Sequence, residues 1–142
     1  MSKVAIVYWS GSGNTEAMAN EIANGVKAAG AEPVMLFTDP DKNVAAEITD
    51  CVGVAFGCPA MGAEELEDTV FIPAFEACKP NLGGKKVVLF GSYGWGDGEW
   101  MRTWEDTCKS AGINLIMDSV ICTEAPDDAA AEACRDAGKA LA

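Results

Sequence analysis

A short glycine-rich loop near the amino terminus has the residue types that bind an anion. It consists of Ser10, Gly11, Ser12, Gly13, Asn14 and Thr15, between a strand-like run and a helix-like segment. Glycines allow tight turns in which backbone N–H groups converge, and the hydroxyl and amide side chains add neutral donors. The helix that follows contributes the positive end of its dipole. The loop therefore predicts a phosphate site.

The residues around this loop narrow the kind of phosphate. No lysine or arginine occurs between Val4 and Val26, and no GK[ST] follows the loop. The dinucleotide pattern GxGxxG also fails, because Glu16 stands at its third glycine. A pyrophosphate or triphosphate normally recruits a lysine or a metal, so a monophosphate fits better. The alternative interpretation is a strand–helix turn of small residues that binds nothing.

Two later loops have residues suited to a flat aromatic ligand. In residues 58–65 a flexible, polarizable methionine, Met61, precedes Gly62, and in residues 92–100 Trp95 lies between Gly94 and Gly96. An indole without neighbouring side chains is costly to expose, and it makes sense as one wall of a stacking site with Met61 as the other. Alternatively, Trp95 folds back onto the core and Met61 only fills a gap.

Five apolar runs and five helix-like segments must position these loops. The runs cover residues 4–9, 32–37, 51–57, 86–91 and 114–122, the last as one uninterrupted strand. Helical spacing and end signals predict helices from 14–15 to about 30, and over 44–49, 64–78, 99–111 and 127–140. Pro73 marks either a kink in the third helix or its true first turn.

The pattern of these elements predicts the fold class. Nearly continuous apolar strands indicate burial on both faces, which is typical of a parallel sheet. Alternating strands and helices give right-handed crossovers and a three-layer, doubly wound α/β domain. Ligands in such a fold bind beyond the carboxyl ends of the strands, where all three loops would meet. Periodicity alone leaves the strand order open.

Composition excludes several classes of function. The 22 acidic and 10 basic residues give a net charge of −12, which disfavours nucleic acid and anionic membranes as partners and suits a basic docking face. Acidity that serves only solubility is the alternative. The six cysteines form no CxxC pair and histidine is absent, so no metal site is expected and the thiols are interpreted as reduced and structural. With no leader or membrane span predicted, we expect a cytoplasmic protein.

Charge near the two later loops bears on redox chemistry. Seven acids and no base occur in residues 57–78 and 94–101, namely Glu64, Glu65, Glu67, Asp68, Glu76, Asp97 and Glu99. Carboxylates around a cofactor make its reduction to an anion harder, so its low-potential couple should shift negative. Solvated loop acidity is a compatible interpretation.

Three segments resemble the short-chain flavodoxins of anaerobic, clostridial type. They are YWSGSGNTEAMA (8–19), GCPAMGAEELED (57–68) and GSYGWGDGEWM (91–101). The resemblance extends over residues 1–142 as a single flavodoxin-like domain. It implies a five-stranded sheet of order 2-1-3-4-5 and one non-covalent FMN. Ser12 departs conservatively, since threonine is common there.

The resemblance also implies roles for individual residues. Ser10 to Thr15 would wrap the phosphate, Met61 and Trp95 would flank the isoalloxazine ring, and Glu64 would accept a hydrogen bond from the flavin N3–H. The Met61–Gly62 peptide would turn its carbonyl toward N5 on one-electron reduction. The remaining expected cofactor contacts are Pro59, Ala60, Gly62, Ser92, Tyr93 and Gly94.

The function implied is electron transfer rather than enzymatic turnover. The resemblance predicts a monomeric, low-potential one-electron carrier that cycles mainly between semiquinone and hydroquinone. Its partners would be low-potential oxidoreductases with basic docking faces, which it serves in place of ferredoxin. The alternative is a small FMN-dependent NAD(P)H or quinone reductase on the same fold. A receiver-type signalling domain is excluded, because its acidic cluster is missing at Trp9–Ser10 and Gly57–Cys58.

Overall fold

Five strands alternate with five helices in the computed structural model, which describes residues 2–142. The strands are β1 (Lys3–Tyr8), β2 (Glu32–Phe37), β3 (Gly53–Gly57), β4 (Lys86–Tyr93) and β5 (Val120–Thr123). The helices are α1 (Asn14–Ala28), α2 (Val44–Glu47), α3 (Phe71–Cys78), α4 (Glu99–Ser110) and α5 (Asp128–Leu141). A 3₁₀ turn (Lys79–Asn81) follows α3.

All strand pairs in the sheet are parallel, and the order is β2-β1-β3-β4-β5, as the resemblance implied. At the carboxyl ends, Tyr8 lies opposite Gly57, and Gly57 lies opposite Phe90. The loops that follow β1, β3 and β4 therefore leave the sheet side by side. This register brings the three predicted binding loops to one edge.

The sheet separates two buried cores, which confirms the three-layer prediction. On one face Val4 and Ile6 pack with Met18 and Ile22 of α1 and with residues of α5. On the other face Ala5 and Val7 belong to a core that includes the aromatic side chains of α3 and α4. Alternate residues of β1 thus enter opposite cores, which explains why its sequence is apolar throughout.

The fifth strand is not the uninterrupted run predicted over 114–122. Leu115 forms an isolated bridge with Val87, and β5 itself begins only at Val120, opposite Phe90. The intervening segment has two residues more than the matching stretch of β4 and therefore loops out of the ladder. Within it, Ser119 Oγ donates to Glu105 of α4 at 2.6 Å, which ties the segment to that helix.

The third helix begins at Phe71, not at residue 64 as predicted. Pro73 lies in its first turn, which was one of the two open alternatives. The cause is Glu67, whose carboxylate accepts hydrogen bonds from the backbone N–H of Val70 and Phe71, each at 2.8 Å. It caps the helix from outside and forces residues 64–70 into turns. The other helices agree with prediction to within a few residues.

The cysteines agree with the structural interpretation. All six lie in the described chain as free thiols, and only Cys122 is not fully buried. Burial raises the pKa of Cys58, Cys78 and Cys134 to about 12, so these thiols stay protonated at neutral pH. No helix within residues 2–142 is long and apolar enough to cross a bilayer.

The Glu67 cap makes a testable contribution to stability. Glu67 is only 7% exposed to solvent. Burial alone would raise the pKa of Glu67, but hydrogen bonds from Thr69, Phe71 and Val70 outweigh that effect and lower it. We expect Glu67→Gln to reduce the free energy of unfolding by about 1–2 kcal/mol at neutral pH, because an amide offers a weaker acceptor.

The pH dependence follows from the lowered pKa. The advantage of the wild type is complete above the ordinary Glu pKa of about 4.3 and is lost as pH falls through the lower folded-state value. Urea unfolding at neutral and acidic pH measures it. Glu76→Gln, which removes an exposed ion pair with Lys79, is the control and should cost less than about 0.5 kcal/mol. A loss that does not shrink on acidification would contradict this account.

Candidate functional site

The predicted phosphate loop connects β1 to α1 and is shaped by Ser10. Its Oγ accepts hydrogen bonds from the N–H of Gly13 at 3.1 Å and of Glu16 at 3.3 Å. Gly13, at φ 96°, is the N-cap of α1 and has no side chain to bond the first-turn N–H groups, of which that of Glu16 is bonded to Ser10 instead. Ser10 therefore builds the loop, while N–H groups of the first helical turn remain without intrahelical partners.

Thr15 provides the most specific sign that the loop binds a polar group. Thr15 is only 1% exposed, yet its Oγ1 makes no hydrogen bond to any residue in the described chain. A buried hydroxyl without a partner costs about 1–3 kcal/mol. An anion seated on the first turn of α1 would satisfy Thr15 and the helix N–H groups together. The residues present thus fit a phosphate.

The three loops share one cleft of about 220 Å³ at the carboxyl edge of the sheet. It is lined by Trp9, Gly11, Ser12, Asn14, Pro59, Ala60, Met61, Ser92, Tyr93, Gly94 and Glu124. The cleft therefore joins residues predicted for the phosphate with residues predicted for the ring. Ser10, Gly13 and Thr15 belong to the same first loop, and Gly62, Glu64 and Trp95 extend the other two.

Ser92 contributes through the backbone framework rather than through a free hydroxyl. Its Oγ donates to the Glu124 carbonyl at 2.5 Å, and its own carbonyl accepts from Ala60 N–H at 3.1 Å. These bonds tie the loop after β3 to the end of β5. The aromatic ring of the next residue, Tyr93, packs against Trp100 with ring centroids 5.2 Å apart.

The Met61 loop is a closed turn. Met61 N–H donates to the Glu65 carbonyl at 2.8 Å, and Glu65 N–H donates to the Met61 carbonyl at 2.9 Å. Between them Gly62 and Glu64 both have left-handed backbones, with φ of 47° and 57°. A Cβ at Gly62 would meet no atom within 4 Å, so only the backbone conformation favours glycine there.

This turn suggests a second candidate for the mobile peptide beside the predicted Met61–Gly62 peptide. The Met61 carbonyl is already engaged by Glu65, so turning the Met61–Gly62 peptide would break a bond of the bridge. The Gly62–Ala63 peptide has no hydrogen bond within the described residues. Its carbonyl is therefore the one that can reorient without loss.

The Trp95 loop is exposed and tightly fitted to Glu64. Trp95 is 63% exposed, so it does not fold back onto the core. At the next residue, Gly96, a Cβ would overlap Glu64 Oε1. The same oxygen accepts the Asp97 N–H at 2.9 Å. Glu64 therefore joins the Met61 loop to the Trp95 loop and keeps its second carboxylate oxygen free for a ligand.

Three carboxylates cluster beside this junction, on Glu64, Asp97 and Glu99, with oxygens within 4.8 Å of one another. Arg102 faces them, and its Nη2 lies 2.9 Å from Asp97 Oδ1. The hydrogen bond and charge of Asp97, together with the other two carboxylates, raise the pKa of Arg102. By contrast, Glu67, counted among the seven acids near the loops, is a helix cap.

Two cleft residues were missed by the sequence prediction. Trp9 was assigned to the first strand, but β1 ends at Tyr8, and the indole of Trp9 packs against Gly11. Glu124 follows β5, and its Oε1 would lie 2.9 Å from a Cβ at Gly94. The carboxyl-edge rule that identified the other loops also applies to the end of β5, so that signal was available for Glu124.

Comparison with known proteins agrees with this geometry. The family model described as flavodoxin matches residues 6–138. The flavodoxin of Megasphaera elsdenii is 51% identical over 139 residues, which cover 98% of both chains. The flavodoxin of Clostridium beijerinckii is 42% identical over 137 residues, covering 96% of this chain and 97% of the relative.

A solved structure supports the same relation. The solution structure of two-electron reduced Megasphaera elsdenii flavodoxin superposes with a TM-score of 0.86 at 49% sequence identity, covering 97% of each chain. Sequence and architecture therefore agree over nearly the whole chain. The chain belongs to the flavodoxin family, and it is an FMN-binding electron carrier rather than an enzyme.

Proposed function

We propose that the three loops hold one FMN, with the phosphate on Ser10 to Thr15 and the ring between Met61 and Trp95. Glu64 accepts the hydrogen bond of the ring N3–H through the oxygen that Asp97 leaves free. The observation that carries this assignment is the single cleft lined by all three loops. Bound FMN supplies the one-electron chemistry, and the chain supplies binding, orientation and charge.

The phosphate is held without a cationic side chain. Backbone N–H groups of the loop and first turn, the Thr15 hydroxyl and the α1 dipole provide the attraction. Asn14 and Ser12 line the same cleft and add neutral donors. Because the chain carries a net charge of −12, which repels an anion, a local array of hydrogen-bond donors is needed to hold the phosphate.

The surroundings of the ring favour a low potential. Glu64, Asp97, Glu99 and Glu124 carry negative charge close to the loops that flank it. Adding an electron and forming an anion there is disfavoured, so the lower of the two one-electron potentials is more negative than that of free FMN. The exposed Trp95 leaves this edge of the molecule open to a partner.

We further propose that redox partners dock a basic face on this acidic edge. The protein would serve low-potential oxidoreductases in place of ferredoxin, as a cytoplasmic monomer in which residues 1–142 act as one domain. Opposite charge accelerates the encounter at low salt and is screened at high salt, which suits a brief contact. The continuous sheet with a core on each face supports the single domain.

The phosphate assignment is tested at Thr15. We expect Thr15→Val to weaken FMN binding about tenfold or more, because a hydrogen bond to a charged group contributes about 1.5–3 kcal/mol. Riboflavin, which lacks the phosphate, should bind both proteins equally well. Fluorescence titration of the FMN-free proteins measures both affinities.

The control variant is Thr107→Val, whose hydroxyl bonds to the Thr103 carbonyl on an exposed part of α4. It should leave FMN affinity unchanged. The FMN-free Thr15→Val protein should be at least as stable as wild type, since an unpaired buried hydroxyl is removed. Equal losses of FMN and riboflavin affinity would contradict the phosphate assignment.

The mobile peptide is tested at Gly62. We propose that the Gly62–Ala63 carbonyl turns toward N5 of the ring on one-electron reduction. Gly62 is left-handed in this structure, with φ of 47°. The proposed turned form requires a conformation at residue 62 that a Cβ disfavours more strongly, by about 1–2 kcal/mol, so Gly62→Ala should lower the yield of half-reduced flavin. Visible spectra during dithionite titration measure it. Gly83→Ala is the control, because Gly83 has open space around it and no left-handed φ. An unchanged yield of half-reduced flavin in Gly62→Ala would refute the proposed peptide movement.

The reductase alternative predicts turnover with a nicotinamide. We expect the FMN-bound protein alone to oxidise neither NADH nor NADPH in steady state, because no lysine or arginine lines the cleft to hold the nicotinamide phosphates. Absorbance at the nicotinamide band follows the reaction, with an added flavoprotein reductase as the positive control. Sustained oxidation by the protein alone would favour the reductase.

A further inference from the structure

Arg102 occupies an unusual place for a cation. It lies in the fourth position of α4, close to the positive end of that helix dipole, where acidic side chains are normally favoured. The N-cap of α4 is Gly98, at φ 89°, so no side chain caps the helix. A residue that contradicts a local rule is a candidate for a role elsewhere in the molecule.

The contacts of Arg102 converge on one residue of the Trp95 loop. Its Nη1 donates to the Asp97 carbonyl oxygen, and its Nη2 donates to Asp97 Oδ1, both at 2.9 Å. The planar guanidinium therefore hydrogen-bonds to the backbone and the side chain of Asp97 at the same time, a geometry that a lysine cannot reproduce.

Asp97 is also held from its other side. Its N–H donates to Glu64 Oε1 at 2.9 Å, and Glu64 belongs to the turn closed by Met61 and Glu65. A continuous chain of hydrogen bonds thus runs from α4 through Asp97 to the Met61 loop. Because Gly96 leaves no space beside Glu64, a shift of Asp97 would move the Glu64 carboxylate as well.

We propose that Arg102 is a positioning residue for the FMN ring, acting through Asp97 and Glu64 on the two loops that flank it. This rests on the proposed assignment of the ring to those loops. Arg102 has two effects there: its fork sets the geometry of the loops, and its charge offsets part of the field of Glu64, Asp97 and Glu99.

Two variants separate geometry from charge. Arg102→Lys keeps the charge and loses the fork, whereas Arg102→Gln loses both. Arg135→Gln is the matched control, since Arg135 is the other arginine of the chain and pairs with Glu21 between α5 and α1. Each is compared with wild type in FMN dissociation rate, in one-electron potentials and in the amide hydrogen exchange of Asp97 in the FMN-free protein.

We expect Asp97 exchange to be several-fold faster in both Arg102 variants and unchanged in Arg135→Gln. FMN should dissociate several-fold faster from both Arg102 variants. The lower one-electron potential should shift negative in Arg102→Gln and less in Arg102→Lys. Wild-type exchange in Arg102→Gln overturns the proposal, and so does wild-type FMN dissociation from Arg102→Lys, which would leave charge as the only effect.

Trp95→Leu distinguishes failure of this inference from failure of the site assignment. It should weaken FMN binding by loss of stacking, with Asp97 exchange unchanged. If Trp95→Leu weakens FMN binding while the Arg102 variants match wild type, only the role of Arg102 is refuted. If Trp95→Leu also matches wild type, the ring does not lie against this loop and both proposals fail.

Discussion

The parallel register of β1, β3 and β4 is the constraint on which the site depends. Tyr8, Gly57 and Phe90 lie opposite one another on three adjacent strands. The three loops that follow these strands are far apart in sequence but leave the sheet side by side. In the described chain the loops are joined to one another only by single hydrogen bonds, such as Ala60 N–H to the Ser92 carbonyl and Asp97 N–H to Glu64. Their relative placement comes from the sheet, whose strands are buried on both faces and cannot slip without exposing a core.

The proposed FMN site treats negative charge differently at its two ends. At one end an anion must be held by a strongly acidic protein, and the donors there are neutral and local: N–H groups of a first helical turn and the buried Thr15 hydroxyl. At the other end Glu64, Asp97 and Glu99 concentrate negative charge, which in the proposed site lies near the ring and opposes its reduction to an anion. Because the field of the N–H dipoles at the phosphate end falls off over a short distance, it does not offset the field of the carboxylates at the other end.

The fold and the three loops were predictable because they depend on patterns within short segments. Continuous apolar strands and helix end signals identify a doubly wound sheet, and the carboxyl-edge rule selects the loops. The strand order came from the family resemblance, since periodicity does not encode it. The start of α3 was mispredicted because Glu67 caps the helix through contacts that only the folded turn creates. The break before β5 likewise shows only in the pairing, because four residues separate Leu115 from Val120 where two separate Val87 from Phe90.

Glu64 separates a hydrogen-bonded segment from a peptide without hydrogen bonds. On one side its carboxylate is bound to Asp97 and packed against Gly96, so the Trp95 loop is fixed on several sides. On the other side lies the Gly62–Ala63 peptide, which makes no hydrogen bond within the described chain. A carrier transfers electrons fastest when little of the protein must rearrange, yet it needs one group that responds to the redox state. In the proposed switch, placing both around a single left-handed glutamate confines the response to the Gly62–Ala63 peptide and leaves Trp95 in position.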